Sequence, residues 1–254
     1  MQHSIFLRRW LNWNTFYQVP ADYNETDYKR ELVKFCLWEK STLNDTASIS
    51  INYIRDRCRY SESNRNKNSF SAYVRFVLKD LIARDEIVQI YGDDVETALG
   101  ISYLEFKILD KFYNMPSNIF AKLTVPVFNS ILDIKCSVSK PILLKVYTYM
   151  RCHMIESPPQ PYGFRYGLDK TIVRDLHLNR KTVDTCLDAF VDKNIFIKYT
   201  TGSYYKDDEP RNAPNIYVIP DENAENNIKA LLEELKQRYG VNEFAPVIVP
   251  TIQK

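Results

Sequence analysis

The sequence predicts an α+β fold, mainly α, in which one unit of three helices and a β-hairpin occurs twice in tandem, the copies joined by a connecting helix. Three observations lead there. The chain carries an internal repeat; in each copy a helical apolar stripe gives way to strand period at the same point; and the composition is that of a folded domain. The repeat is gapless where it is clearest: Val74, Leu78, Leu81, Ile82, Ile87 and Val88 match Val183, Leu187, Phe190, Val191, Phe196 and Ile197 at one constant spacing. Upstream, Ile54-Arg55-Asp56 resembles Val173-Arg174-Asp175, and Tyr17-Gln18-Val19-Pro20 resembles Leu123-Thr124-Val125-Pro126. The boundaries that follow are a first unit over 1–94, a connecting helix over 95–117, a second unit over 118–221, and a C-terminal helix with an extended tail over 222–254.

In the second copy, Asn118 to Val127 alternates enough to be a short strand or extended arm. Ser139 to Met154 carries Ile142, Leu143, Val146, Tyr149 and Met150 at helical spacing, with Ser139 placed to cap and Pro141 at an early helical position. A Pro-rich loop, Ser157 to Pro161, ends it. Asp169 caps a short helix, Lys170 to Leu176, and a tight turn through His177-Leu178-Asn179 leads into a longer helix from Arg180 to Lys193. The apolar positions of that helix, Val183, Leu187, Phe190 and Val191, fall on one stripe. After Asn194 the period becomes that of strands, Ile195 to Tyr199, then a polar turn, then Asn215 to Ile219. Helix, short helix, tight turn, long helix and hairpin is the winged-helix order.

The first copy reads alike. Asp27 to Lys40 is its first helix, Ser50 to Cys58 the short one, and Ser69 to Arg84 the long one, with Phe70, Val74, Val77, Leu78 and Leu81 as its stripe. Ile87 to Tyr91 begins its wing, and Gly92-Asp93-Asp94 supplies the turn. The joint between its helices, Arg59 to Asn68, is much longer than in the second copy. Val95 to Tyr113 reads as the connecting helix. Ala224 to Tyr239 is an amphipathic helix, and the residues beyond it, with Pro246 and Pro250, read as extended.

A helix-turn-helix works by holding its second helix with the outer face free to enter a major groove. In the second copy that face and its entrance carry Asn179, Arg180, Lys181, Thr182, Asp184 and Thr185. Arg and Asn grip guanine and adenine edges with two hydrogen bonds, and a helix N-terminus favours phosphate. From Arg165 to Thr182, five basic residues (Arg165, Lys170, Arg174, Arg180 and Lys181) face two acids, Asp169 and Asp175. The competing reading is an ordinary solvated helix face. Lys206 and Arg211 on the second wing are placed for backbone contact, although Asp207-Asp208-Glu209 between them would be repelled by phosphate. In the first copy, Arg65, Lys67 and Arg75 are candidate phosphate contacts, and Ser69 and Ser71 sit where a reading helix begins; the alternative is that this copy pairs with a second subunit and its basic loop is simply solvated.

The bulk numbers set limits. Of 254 residues, 45% are hydrophobic and 26% charged, so a real core is expected. A net charge of +2 means that any nucleic-acid site must gather its cations locally. Five scattered cysteines, Cys36, Cys58, Cys136, Cys152 and Cys186, read as small buried hydrophobes in a reducing compartment. No leader or membrane-spanning run is read from the sequence, so the expectation is a cytoplasmic protein that binds no membrane.

This pattern resembles the tandem winged-helix replication initiators (Rep-type proteins) of plasmids and the related origin-binding proteins of phages. The likeness is carried by Leu123-Thr124-Val125-Pro126 ahead of the first helix, by the turn Leu176-His177-Leu178-Asn179-Arg180-Lys181-Thr182-Val183, and by Asn215-Ile216-Tyr217-Val218 closing the wing. The turn is shared by many transcription regulators; the duplication is what points to initiators. The resemblance implies sequence-specific binding of double-stranded DNA, with the second copy reading bases while the first dimerises or binds backbone, and recruitment of helicase and polymerase from a host. A transcription regulator of the same architecture is the other reading, and a protein-interaction module a third.

No enzyme is expected, and no cofactor or metal. His3, His153 and His177 are the only histidines and do not cluster. With six glycines the chain has no Gly-rich loop ending in Lys-Ser or Lys-Thr. Asp93-Asp94 with Glu105 is a carboxylate cluster of the kind that arises by chance.

Overall fold

A computed structural model describes residues 16–22, 24, 26–42, 44–61, 69–113, 119–154, 163–166 and 171–246. The chain divides into two compact units, one comprising residues 1–133 and 139–148, the other 134–138 and 149–254. Helices and small antiparallel sheets make up both.

The first unit opens on β1 (Tyr17–Pro20) and α1 (Tyr28–Lys40). Asp27 starts α1 by accepting from the backbone N–H groups of Lys29 and Arg30. β2 (Thr46–Ile49) follows, then α2 (Ile51–Arg57), capped by Ser50, and α3 (Phe70–Ala83), capped by Ser69. β3 (Ile87–Tyr91) and β4 (Leu104–Ile108) complete a three-stranded antiparallel sheet in the order β2-β4-β3. The stripe Phe70, Val74, Val77, Leu78 and Leu81 is buried as its spacing requires.

β4 corrects the expectation of a connecting helix over 95–117. Leu104, Phe106 and Ile108 are buried while Glu105 and Lys107 between them are only partly so, which is strand period. Leu99, Ile101 and Tyr103 ahead of it are exposed. The strand is paired on both edges, Phe106 opposite Ala47 and Gln89, and a single 3₁₀ turn (Asp110–Tyr113) follows it. Long-range pairing therefore decides this segment, not local propensity.

β5 (Phe120–Leu123) falls within the expected arm but ends in α4 (Val125–Leu132), which starts at Thr124 with Pro126 in its first turn. The likeness of Tyr17-Val19-Pro20 to Leu123-Val125-Pro126 is not a repeat of structure: β1 and β5 pair with each other, Tyr17 opposite Leu123 and Pro20 opposite Phe120. Phe35 of α1 stacks on Phe128 of α4 at 3.8 Å between ring centroids and meets Tyr17 edge-on at 5.8 Å. Glu31 is buried in the same layer and accepts from the Tyr17 hydroxyl at 2.6 Å. Burial raises the Glu31 carboxyl above the usual range, an effect that Lys34 and Tyr17 oppose.

α5 (Lys140–His153) has its residues up to Thr148 in the first unit and those from Tyr149 in the second. The second unit continues with β6 (Phe164–Tyr166), α6 (Thr171–Leu176), α7 (Arg180–Asp192), β7 (Ile197–Tyr199), β8 (Ser203–Lys206), β9 (Glu209–Asn212), β10 (Asn215–Val218) and α8 (Ala224–Tyr239). Its three-stranded sheet runs β6-β10-β7, the same first-third-second strand order as in the first unit. The expected cap Asp169 and the start at Lys170 lie outside the described residues. α8 has the bounds expected of the C-terminal helix and packs Leu231 and Leu235 against Ile216 and Val218 of β10.

The repeat is visible in the backbone. α3 and α7 end alike: Arg84 and Lys193 cap them, and Asp85 and Asn194 then turn left-handed at φ 54° and 52°. Next, the N–H groups of Glu86 and Ile195 return to the carbonyls of Leu81 and Phe190. α2 and α6 also end alike, with Arg59 and His177 left-handed at φ 60° and 52°. That equivalence places Arg55 beside Val173, one residue out of the register in which Ile54-Arg55-Asp56 was laid over Val173-Arg174-Asp175. The strands β2 and β6 were not expected from the sequence.

Candidate nucleic-acid interface

α7 begins where the tight turn demands it. His177 is left-handed, its N–H bonded to the Arg174 carbonyl, and Asn179 then accepts from the Thr182 N–H at 2.8 Å. Val183, Cys186, Leu187 and Phe190 bury the inner face, and burial pushes the Cys186 thiol up to about 12. What is left outside is Arg180, Lys181, Asp184 and Asp188, with Thr182 and Thr185 on the flanks.

Arg180 and Lys181 are exposed at the first turn of α7, as expected; Arg180 lies 3.5 Å from Asp184, and no ion pair to Lys181 occurs among the described residues. Arg174 is exposed on α6 and bonded to Asp175 at 3.0 Å. Burial would raise the Asp175 carboxyl, but hydrogen bonds from Tyr149 and Arg174 outweigh it and hold the group below the usual carboxylate range. Thr185 donates its hydroxyl to the Lys181 carbonyl at 2.8 Å. Lys206 and Arg211 are exposed, Arg211 lying 3.4 Å from Glu209. Lys170, Arg65 and Lys67 lie outside the described residues. In the first unit, Ser69 is occupied as the cap of α3, Ser71 is half-buried in its first turn, and Arg75 donates to the Ala98 carbonyl at 2.6 Å.

Asn179 holds the helix as well as facing outward, which gives a simple test. Asn179→Ala should cost about 1 kcal/mol of stability, read as a lowered denaturation midpoint, whereas Asn179→Asp should keep the cap.

The same unit carries a second hairpin. β8 and β9 turn through Asp207 and Asp208, both left-handed, at φ 54° and 59°, the geometry of a tight two-residue turn. The hairpin is held at its base. Ser203 exchanges two backbone hydrogen bonds with Ala245, at 2.8 and 2.9 Å, and Tyr204 stacks on Tyr239 at 4.3 Å. Gly202 has φ 114°, and a Cβ there would run into the Ala245 carbonyl oxygen, so glycine is required. The expected extended tail thus meets this hairpin through a single antiparallel bridge, Ser203 to Ala245. Tyr205 is 69% exposed on this hairpin, and Lys198 of β7, which the sequence reading did not single out, has its ammonium 3.6 Å from Asp188 on α7.

Among the described residues no group of His, Cys, Asp and Glu is placed to hold a metal ion, and no helix is long and apolar enough to cross a membrane. No family model matches the chain, and no curated protein matches it at a significant level.

Proposed function

We propose that this chain is a sequence-specific binder of double-stranded DNA, built from two tandem winged helices, and that it acts as a replication initiator at repeated origin sequences. The observation that carries the reading is the entrance of α7, capped by Asn179 and exposing Arg180 and Lys181. It lies in a unit that also carries a three-stranded sheet and a separate two-stranded hairpin. A helix end so arranged fits a major groove, and the exposed Lys206 and Arg211 of the hairpin suit backbone phosphates. The duplicated unit favours an initiator over a single-module regulator.

Self-association belongs to the same reading. β3 is an edge strand whose Val88, Ile90 and Tyr91 are exposed, and Leu99, Ile101 and Tyr103 of the same wing are exposed too. An uncharged, apolar edge of this kind favours pairing with a second copy. Helicase and polymerase would come from a host. The test is recovery of bound fragments from the source genome, footprinting, and transfer of the protected fragment to a replicon lacking its own initiator. Protected iterated repeats that support replication are expected. Protection confined to promoters would make the protein a transcription regulator, and absence of protection would defeat DNA binding.

A further inference from the structure

The two units use their wings differently. On α7, Arg180 and Lys181 occupy the first turn. In the register set by Val74 and Val183, the same places on α3 hold Ser71 and Ala72. Further along, Arg75, Phe76 and Lys79 of α3 stand where α7 has Asp184, Thr185 and Asp188. The two cations of α3 face the wing of their own unit. Arg75 donates to the Ala98 carbonyl at 2.6 Å, and its other terminal nitrogen is buried without a hydrogen-bond partner among the described residues. Lys79 is 2.8 Å from Glu96.

The wing segment is fastened on both sides of Ala98. Val95 and Ala98 are buried, and the Gly100 carbonyl accepts from the Asn52 N–H at the first turn of α2 at 2.8 Å. A Cβ on Gly100 would run into the Asn52 side-chain amide, so the strap lies directly on the helix start. Once strapped, the outer face of α3 exposes Phe76, 65% accessible, and its Lys79 lies in the field of the acids Glu96 and Asp94. Freeing Arg75 for a phosphate would orphan the Ala98 carbonyl and expose the wing's buried side chains.

We infer that the wing of the first unit is an intramolecular strap that removes α3 from base reading, so that each copy of the chain reads a single major-groove segment through α7. Arg75, Lys79, Glu96, Gly100 and Asn52 set that limit on specificity. The inference rests on the DNA-binding reading above.

The test uses the full-length chain and random duplexes. Selection should return one sequence block, alone or repeated, and Lys79→Ala should leave both affinity and the salt dependence of binding unchanged. Arg75→Ala with Lys79→Ala should behave the same, while Arg180→Ala with Lys181→Ala should return no selected block, because the base contacts of α7 are gone. Lys79→Ala, an exposed position that leaves folding intact, keeps the test readable if Arg75→Ala unfolds the unit. Two unrelated blocks about one helical turn apart, or a slope reduced by about 1 in Lys79→Ala, would overturn the strap while leaving DNA binding in place. No selected block and no effect of the α7 substitutions would sink the DNA reading and the strap with it.

Discussion

Replacing Arg180 and Lys181 together by alanine should abolish sequence-specific DNA binding while leaving the fold intact. Neither side chain contributes to the core. Arg180 is 56% exposed with only an i,i+4 pairing to Asp184, and such surface pairs are worth about 0–1 kcal/mol. The inner stripe Val183, Cys186, Leu187 and Phe190 and the Asn179 cap remain, and alanine is the best helix former, so α7 should be at least as stable as before. Hydrogen bonds from such side chains to base edges are worth about 1–3 kcal/mol per residue, so removing both residues weakens binding by roughly 10² to 10⁴-fold. Circular dichroism and a melting curve matching the unsubstituted protein, beside a mobility shift that disappears, is the expected pair of results. Undiminished affinity with both residues gone would remove α7 from the interface.

How much of this was legible in the sequence depends on the range of the interaction that holds each element. The ends of α3 and α7 could be read because the deciding signals are local. A gapless apolar stripe sets the buried face, and Asp85 and Asn194 are residue types that tolerate a left-handed turn. The exposure of Arg180 and Lys181 followed from the same stripe. β2 and β6 were missed because strands of three or four residues carry too little pattern, and their pairing partners lie far along the chain: Thr46 is opposite Lys107, and Phe164 is opposite Tyr217. β4 was mistaken for helix because the apolar residues ahead of it, Leu99 and Ile101, blur its alternation, and they are apolar without being buried. Arg75 read as a phosphate contact because the Ala98 carbonyl is brought to it only by the fold of the wing. A cation's partner at long range leaves no mark on periodicity.

The largest effect on stability should come from Phe35→Ala. Phe35 is fully buried on α1, stacked on Phe128 at 3.8 Å, edge-on to Tyr17 at 5.8 Å and tilted against Trp38 at 5.2 Å between centroids. It therefore joins α1 to both β1 and α4, elements that the chain brings together from opposite ends of the first unit. Truncating a buried phenylalanine costs about 3–5 kcal/mol, the upper values applying where the surroundings cannot collapse. Here the neighbours are rigid aromatic rings on three different elements, so little collapse is available. At about 2–4 °C per kcal/mol for a chain of this size, the melting temperature should fall by roughly 10 °C. Phe128→Ala should lower it as well, and the double substitution should cost less than the two singles added, by about 0.5–1.5 kcal/mol, the part of the stacking that exists only when both rings are present. Strict additivity would mean that the two rings are buried independently. A drop under about 1 kcal/mol for Phe35→Ala, on the scale expected of exposed positions, would mean that this aromatic layer does not hold the first unit together.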